Sequence, residues 1–315
     1  MQIGYFLSSE DTGPKRLVEQ ARLVERSGFG EVMISDHYHP WIDRQGHSPF
    51  VWSVIGAIAE ATALTVTTGV TCPTVRIHPA VVAQAAATAS VLLDGRFRFG
   101  VGSGENLNEH IVAVDWPDLD TRLDMLEESL EVIRALWTGE VTSHAGAHYR
   151  VRNARVYDLP DEPPPILMSG FGPKATELAG RIADGYVNTS PDRDLVERFE
   201  RSGGQGKLKV AGGKVCWSRD REAARRLVHE LWPNSGLPGE LAQELPTPQH
   251  FEQAVELVTV DAVASSLPVG DDPEEFVQSI KEYEAAGFDI LFLQQIGDDQ
   301  EGFFDFFRRE VQPRL

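Results

Sequence analysis

Ile34-Ser35-Asp36-His37-Tyr38-His39-Pro40-Trp41 is the end of a short apolar run, from Glu31 to Ser35, that breaks off into an acid, two histidines and a tryptophan. A strand that stops at an Asp-His pair delivers polar groups to its C-terminal end. That is where α/β barrels and open α/β sheets place their active sites. Taken alone, the stretch reads equally as a capping Asp36 followed by an ordinary loop histidine, so the pattern on either side has to decide.

Outward from it, strand-like and helix-like segments alternate. Ile3 to Leu7 is a strand, and Pro14 to Ser27 a helix stopped by Gly28. After Trp41, Pro49 to Thr62 is helical, and Leu64 to Thr71, rich in β-branched residues, is a third strand. Pro79 to Leu93 is an alanine-rich helix, Phe97 to Gly102 a fourth strand, and Leu119 to Trp137 a long amphipathic helix. The alternation of Val141 to Tyr157 suggests a small hairpin outside this rhythm. Ile166 to Ser169, Gly185 to Thr189, a segment within Lys207 to Ser218, and Phe288 to Gln294 complete eight strand candidates. Helices are expected at Pro173 to Ala183, Arg219 to Leu231, Gln249 to Val258, Asp272 to Ala286 and Phe303 to Val311.

Alternation of this kind gives a parallel α/β architecture. No Gly-x-Gly-x-x-Gly follows the first strand, so a closed (β/α)8 TIM barrel is favoured over a doubly wound dinucleotide fold. A single domain over residues 1–315 is expected, with an excursion over the barrel mouth at about 232–270.

Composition narrows the partners. The chain has 315 residues and a net charge of −19, which argues against nucleic acid and anionic membrane surfaces, both of which need a basic footprint. The first residues enter a strand at once, leaving no room for a signal peptide, and two cysteines give no disulfide framework. A cytoplasmic location follows as an expectation. His37 and His39 lie two apart and no metal-ligand spacing occurs, so no metal is expected.

In a barrel the strand ends converge. Here they supply Glu10, then Asp36, His37 and Trp41, then the Gly69 to Thr74 segment, then Gly104, Glu105 and Asn108. Ser169 to Gly172 and Thr189 with Ser190 follow from later strands. One histidine, several carboxylates and a tryptophan among glycine turns suit proton transfer beside a flat ring ligand. Gly170-Phe171-Gly172-Pro173-Lys174 reads as a close-approach loop entering a helix N-terminus, with Lys174 as a possible added positive charge.

Ser35-Asp36-His37-Tyr38-His39-Pro40-Trp41, Gly46-His47-Ser48-Pro49-Phe50, Cys72-Pro73-Thr74-Val75-Arg76 and Gly100-Val101-Gly102-Ser103-Gly104-Glu105-Asn106-Leu107-Asn108 together resemble the coenzyme F420-dependent dehydrogenases of the luciferase-like superfamily. Within it the chain is similar to the F420-dependent glucose-6-phosphate dehydrogenase group. The resemblance runs from the first strand to the sixth, thins over 200–270 and returns near Asp272-Pro273.

It implies a homodimeric (β/α)8 barrel that passes hydride between a hydroxyl-bearing carbon of a small molecule and coenzyme F420. His37 is then the base that takes the hydroxyl proton, and Trp41 shapes the reacting centre. Glu105 manages a proton at the deazaflavin ring, Glu10 is a further carboxylate, and Asp36 holds the cofactor or orients His37. Gly69, Val70, Ser103, Gly104, Asn108, Ser169, Gly170, Phe171, Gly172 and Thr189 line the cofactor, with a non-prolyl cis bond at Gly69-Val70. His39 is read as structural.

The sequence departs from the group where a phosphate would be gripped: the three basic positions fall at Asp192, near Ser266 and near Gln243. An acid in place of a lysine repels a phosphate dianion. The expected substrate is therefore an unphosphorylated alcohol or sugar. The alternatives are an F420H2-dependent reductase of a ketone or activated alkene, and an FMN-dependent luciferase-like monooxygenase.

Overall fold

The computed structural model describes all residues, 1–315. Its strands in chain order are β1 Gln2–Leu7, β2 Glu31–Ile34, β3 Thr65–Thr68, β4 Phe97–Val101, β5 Thr142–Ala145, β6 Arg150–Ala154, β7 Ile166–Ser169, β8 Gly185–Asn188, β9 Leu208–Trp217, β10 Val269–Gly270 and β11 Ile290–Gln295. Eight of them close a parallel barrel in the order β9-β11-β1-β2-β3-β4-β7-β8, with β8 pairing back onto β9. This is the (β/α)8 barrel expected from the alternating pattern. β5 and β6 form the separate antiparallel hairpin. β10 is a two-residue addition to the far end of β9, with Val269 opposite Cys216.

The helices between strands cover the barrel because their apolar faces have nowhere else to go. Helix Pro79–Leu92 buries Val82, Ala83, Ala86 and Ala87, and small side chains let it lie close to its neighbours. It starts on a proline, with the His78 ring accepting from the Ala80 N–H at 3.1 Å. Asp118 caps the long helix Leu119–Leu136 in the same way, through the Thr121 N–H at 2.8 Å. The layer between strands and helices holds one cluster of 54 buried apolar residues.

Inside the barrel a second cluster is formed by Met33, Leu167, Val187, Val210, Ile290 and Phe292, with Phe6, Val70 and Leu208 packed against it. It plugs the barrel below the strand ends. Gly4 makes room for it: a Cβ there would lie 2.5 Å from the Phe292 ring.

Some elements escaped the sequence pattern. Helix Arg193–Phe199 and the wider turn Glu200–Gly204 fill a stretch left unassigned, and Asn106–Glu109 is a one-turn helix. Strand three is shorter than expected, ending at Thr68 before the cis peptide at Gly69–Val70. Between Trp232 and Gly270 the chain forms short pieces, Pro233–Gly236, Leu241–Glu244, Pro248–Val255 and Val260–Ala264, before β10. No helix is long and apolar enough to cross a membrane. Two surface clefts, around Arg134 with Pro163–Ile166 and around Met1 with Phe29 and Phe307, lie at the N-terminal ends of the strands, away from the polar strand ends.

Candidate active site

The C-terminal strand ends bring most of the sequence-predicted residues into two adjoining groups. The first is an acid–base group built on the ends of β1, β2 and β4. His37 follows β2, and its Nδ1 lies 3.2 Å from the His39 carbonyl oxygen and 3.2 Å from Asn108 Nδ2. Its Nε2 lies 3.5 Å from Glu10 Oε1. The other oxygen of Glu10 accepts from Ser35 Oγ at 2.6 Å and Ser8 Oγ at 3.0 Å, so the carboxylate is held with one oxygen toward the imidazole.

Asn108 is itself oriented. Its Oδ1 accepts from the Tyr38 and His39 N–H groups at 2.8 and 3.2 Å, which turns Nδ2 toward His37 and toward Glu105 Oε2 at 3.3 Å. A neutral imidazole cannot satisfy both Nδ1 contacts at once. With Nδ1–H donating to His39, Nε2 is free to accept a proton. With Nδ1 accepting from Asn108, Nε2–H faces Glu10. Once both nitrogens are protonated, each has an acceptor, His39 O on one side and Glu10 on the other.

Trp41 packs edge-on against His37, ring centroids 4.9 Å apart, and is backed by Phe251 at 5.3 Å. Phe251 belongs to the stretch between Trp232 and Gly270. That stretch also meets the site through the Asn106 amide, which donates to the Glu244 carbonyl, and through Trp232, whose indole N–H donates to Asp11. The His39 Nδ1–H donates to the Leu107 carbonyl oxygen at 3.0 Å, and the ring stacks on His110.

Asp36 does something other than orient His37. Its Oδ2 accepts from Thr71 Oγ1 at 2.8 Å and its Oδ1 from Arg76 Nη2 at 2.9 Å. Arg76 also lies against Glu109, whose Oε2 accepts the Arg76 backbone N–H at 2.6 Å. The orienting contacts on His37 come from Asn108, His39 and Glu10 instead. Burial works against the Arg76 charge, but Asp36 and Glu109 hold its pKa above the ordinary guanidinium value. Arg76 and Glu109 carried no role in the sequence reading, although both stand inside or beside the motifs quoted there.

Burial pushes the Glu109 carboxyl up to about 7, against the lowering pull of Arg76. Raised above the ordinary value of 4.5, this group binds its proton more tightly folded than unfolded. Its contribution to stability is therefore present at pH below about 4.5 and is lost as pH rises toward about 7. Glu109→Gln should remove that slope, at most about 1.4 kcal/mol per pH unit. Denaturant unfolding of both proteins from pH 4.5 to 8 checks it; parallel stability curves would refute it.

The second group is a surface of backbone and small side chains at the ends of β3, β4 and β7. A Cβ on Gly102 would sit 2.7 Å from both Ser169 Oγ and Val70 Cγ2, so only glycine lets these three strand ends meet. Gly104 has φ +82°, and a Cβ there would lie 2.6 Å from Cys72 Sγ. Ser103 lies between these two glycines and Gly172 faces open space. The Phe171 and Tyr38 rings are exposed.

Gly170 and Thr189 of the predicted lining, and Lys174 beside it, have partners within the protein. The Gly170 carbonyl accepts from Tyr186 Oη at 2.5 Å and Asn188 Nδ2 at 3.1 Å, and its α-carbon is packed against Thr176. Thr189 lends its carbonyl to Tyr283 Oη at 3.0 Å. Lys174 offers no charge to an anion there, because Asp120 takes its ammonium with both oxygens, at 2.5 and 2.8 Å.

Known proteins with this arrangement agree on its family. The model of the luciferase-like monooxygenases matches residues 1–289. The F420-dependent glucose-6-phosphate dehydrogenase of Microbacterium testaceum is 35% identical over 328 aligned positions, covering 100% of this chain and 97% of that one. The enzyme of the same name from Nakamurella multipartita is 36% identical, covering 100% and 96%. Among solved structures, an F420-dependent secondary alcohol dehydrogenase in complex with an F420-acetone adduct superposes with a TM-score of 0.91 at 28% identity, over 99% of this chain and 98% of that one. The chain belongs to the luciferase-like family, in the branch that holds the F420-dependent glucose-6-phosphate dehydrogenases.

Proposed function

We propose that the protein is an F420-dependent oxidoreductase that oxidises a CH–OH group of an unphosphorylated alcohol or sugar, with His37 as the base. The observation that carries this reading is the His37 imidazole, held at Nδ1 and presented by Nε2 beside a fixed carboxylate. Coenzyme F420, when bound, supplies a deazaflavin ring that accepts a hydride or gives one back.

The chain's own residues fit such a ring. The glycine-rich ends of β4 and β7, with Val70 and Ser169, give a surface without bulky side chains, which a planar ligand needs for close approach. Ser103, Gly104, Asn108 and Glu105 would line it, and Asp36 is locked to Arg76. His37 Nε2 takes the hydroxyl proton, and the resulting imidazolium donates to the His39 carbonyl and to Glu10. Trp41 covers the imidazole and keeps water from it.

Restriction to an unphosphorylated substrate follows from the residues at the positions where the group has basic ones. Asp192 is the cap of helix Arg193–Phe199, its Oδ1 accepting the Leu195 N–H at 3.0 Å. Ser266 donates to the Val263 carbonyl at 2.7 Å, and Gln243 is uncharged. No cation stands at any of the three.

The test is titration of the purified protein with F420 and with flavin mononucleotide, followed by the absorbance of bound deazaflavin under a panel of alcohols and sugars. The expected result is preferential F420 binding and bleaching that depends on a neutral alcohol or sugar. Tight F420 binding with no alcohol-dependent bleaching would point to reduction of a ketone or alkene; preferential flavin binding would point to the monooxygenases.

A further inference from the structure

Two polar side chains face the barrel interior at the level of the acid–base group and have no ionic or hydrogen-bonded partner in the protein. Side chains alternate along a strand. On β9 the inward positions are Leu208, Val210, Gly212 and Lys214: the first two belong to the interior cluster, and a Cβ on Gly212 would meet Phe6 and Thr189. Gly213, by contrast, faces Leu291 and Tyr283 on the outer side. On β11 the inward positions are Ile290, Phe292 and Gln294, the first two again in the interior cluster.

Lys214 and Gln294 are register partners, so they stand side by side one layer above the apolar plug. Gln294 is 5% exposed, and its Nε2 is buried with no hydrogen-bond partner. The Lys214 ammonium lies 4.5 Å from the centre of the Trp232 ring and enters no ion pair. Its surroundings are Trp232, Asp11, which accepts the Trp232 indole N–H at 3.2 Å, and Glu10. Burial lowers its pKa, and Glu10 and Asp11 pull it back up.

A buried amide with nothing to donate to is costly unless a ligand completes it. Both groups are donors, so the missing partner is an oxygen acceptor. A carboxylate or phosphate there would add negative charge to a pocket that already holds Glu10 and Asp11, whereas a neutral hydroxyl accepts from Lys214 and Gln294 without that repulsion.

We propose that Lys214 and Gln294 form the floor of the substrate pocket and bind a second hydroxyl next to the reacting one, which makes the substrate a vicinal polyol or sugar rather than a simple alcohol. This rests on the oxidoreductase reading above and names its substrate class. A site built to hydrogen-bond a substrate hydroxyl discriminates strongly against the analogue that lacks it, because its polar groups are then left unpaired.

The experiment compares cyclohexane-1,2-diol with cyclohexanol on the F420-loaded protein, as wild type, Gln294→Met and Lys214→Met. The expected result is a wild-type kcat/KM ratio of at least roughly tenfold in favour of the diol, falling roughly tenfold or more in each variant. Equal kcat/KM for diol and cyclohexanol in the wild type, or a ratio that neither variant moves, would overturn the floor. If wild type bleaches F420 with neither compound, the oxidoreductase reading fails separately. The floor is then judged by calorimetric titration of the diol into the same loaded proteins: weaker binding to both variants supports it, and equal binding overturns it.

Discussion

Replacing His37 with alanine is expected to lower kcat for alcohol oxidation by about 10²- to 10⁴-fold, the range a positioned general base contributes. The reason lies in how the ring is held. Asn108 and the His39 carbonyl hold Nδ1, Glu10 faces Nε2, and Trp41 packs edge-on against the ring, so the imidazole is presented as the base. F420 affinity should stay within a few fold of wild type, since the surface proposed for the ring, at Gly69, Val70, Gly102 and Ser169, is untouched. Stopped-flow bleaching of bound deazaflavin, with F420 binding measured separately, reads both quantities. An unchanged rate would remove His37 from the mechanism; a lost rate accompanied by lost F420 binding would make it a cofactor-holding residue.

Arg76→Met should be the most destabilising change at the site. The Asp36 side chain is 0% exposed, that of Glu109 1% and that of Arg76 6%, so the guanidinium is the counter-charge for two buried carboxylates. Removing one partner of a buried ion pair leaves an uncompensated charge, which costs about 3–5 kcal/mol. Denaturant unfolding near pH 8, above the Glu109 pKa of about 7, should show that loss. At pH 5.5 it should shrink, because Glu109, already pushed up to about 7, takes a proton more readily there. A loss under about 1 kcal/mol at pH 8 would mean that solvent or a rearranged side chain replaces the arginine.

Much of this fold was legible in the sequence because parallel barrel strands are short apolar runs separated by amphipathic helices. Ile166–Ser169 matches its expected bounds, and the hairpin at 142–154 was visible as a break in the rhythm. Helix Arg193–Phe199 was not legible: it is short, mostly charged, and held by the Asp192 cap and the burial of Val196 and Phe199. The polar strand ends were legible as a set, since Glu10, His37, Trp41 and Glu105 each come a few residues after an apolar run ends. What each does there was less so. Asp36 reads as a partner for its neighbour His37, yet its carboxylate is claimed by Thr71 and by Arg76, 40 positions away. Gln294 looked like the last residue of an ordinary strand. Only the closed barrel shows that its amide is buried beside Lys214 with nothing to donate to.

The most direct measurement is the kcat/KM of the F420-loaded protein for glucose against glucose 6-phosphate, read from deazaflavin bleaching. With Asp192 and the residues near Ser266 and Gln243 at the positions where the resemblance implies cations, the phosphate should confer no advantage, and glucose should be used at least as well. A strong preference for glucose 6-phosphate would contradict the account, and would mean that cations elsewhere in the chain hold the phosphate.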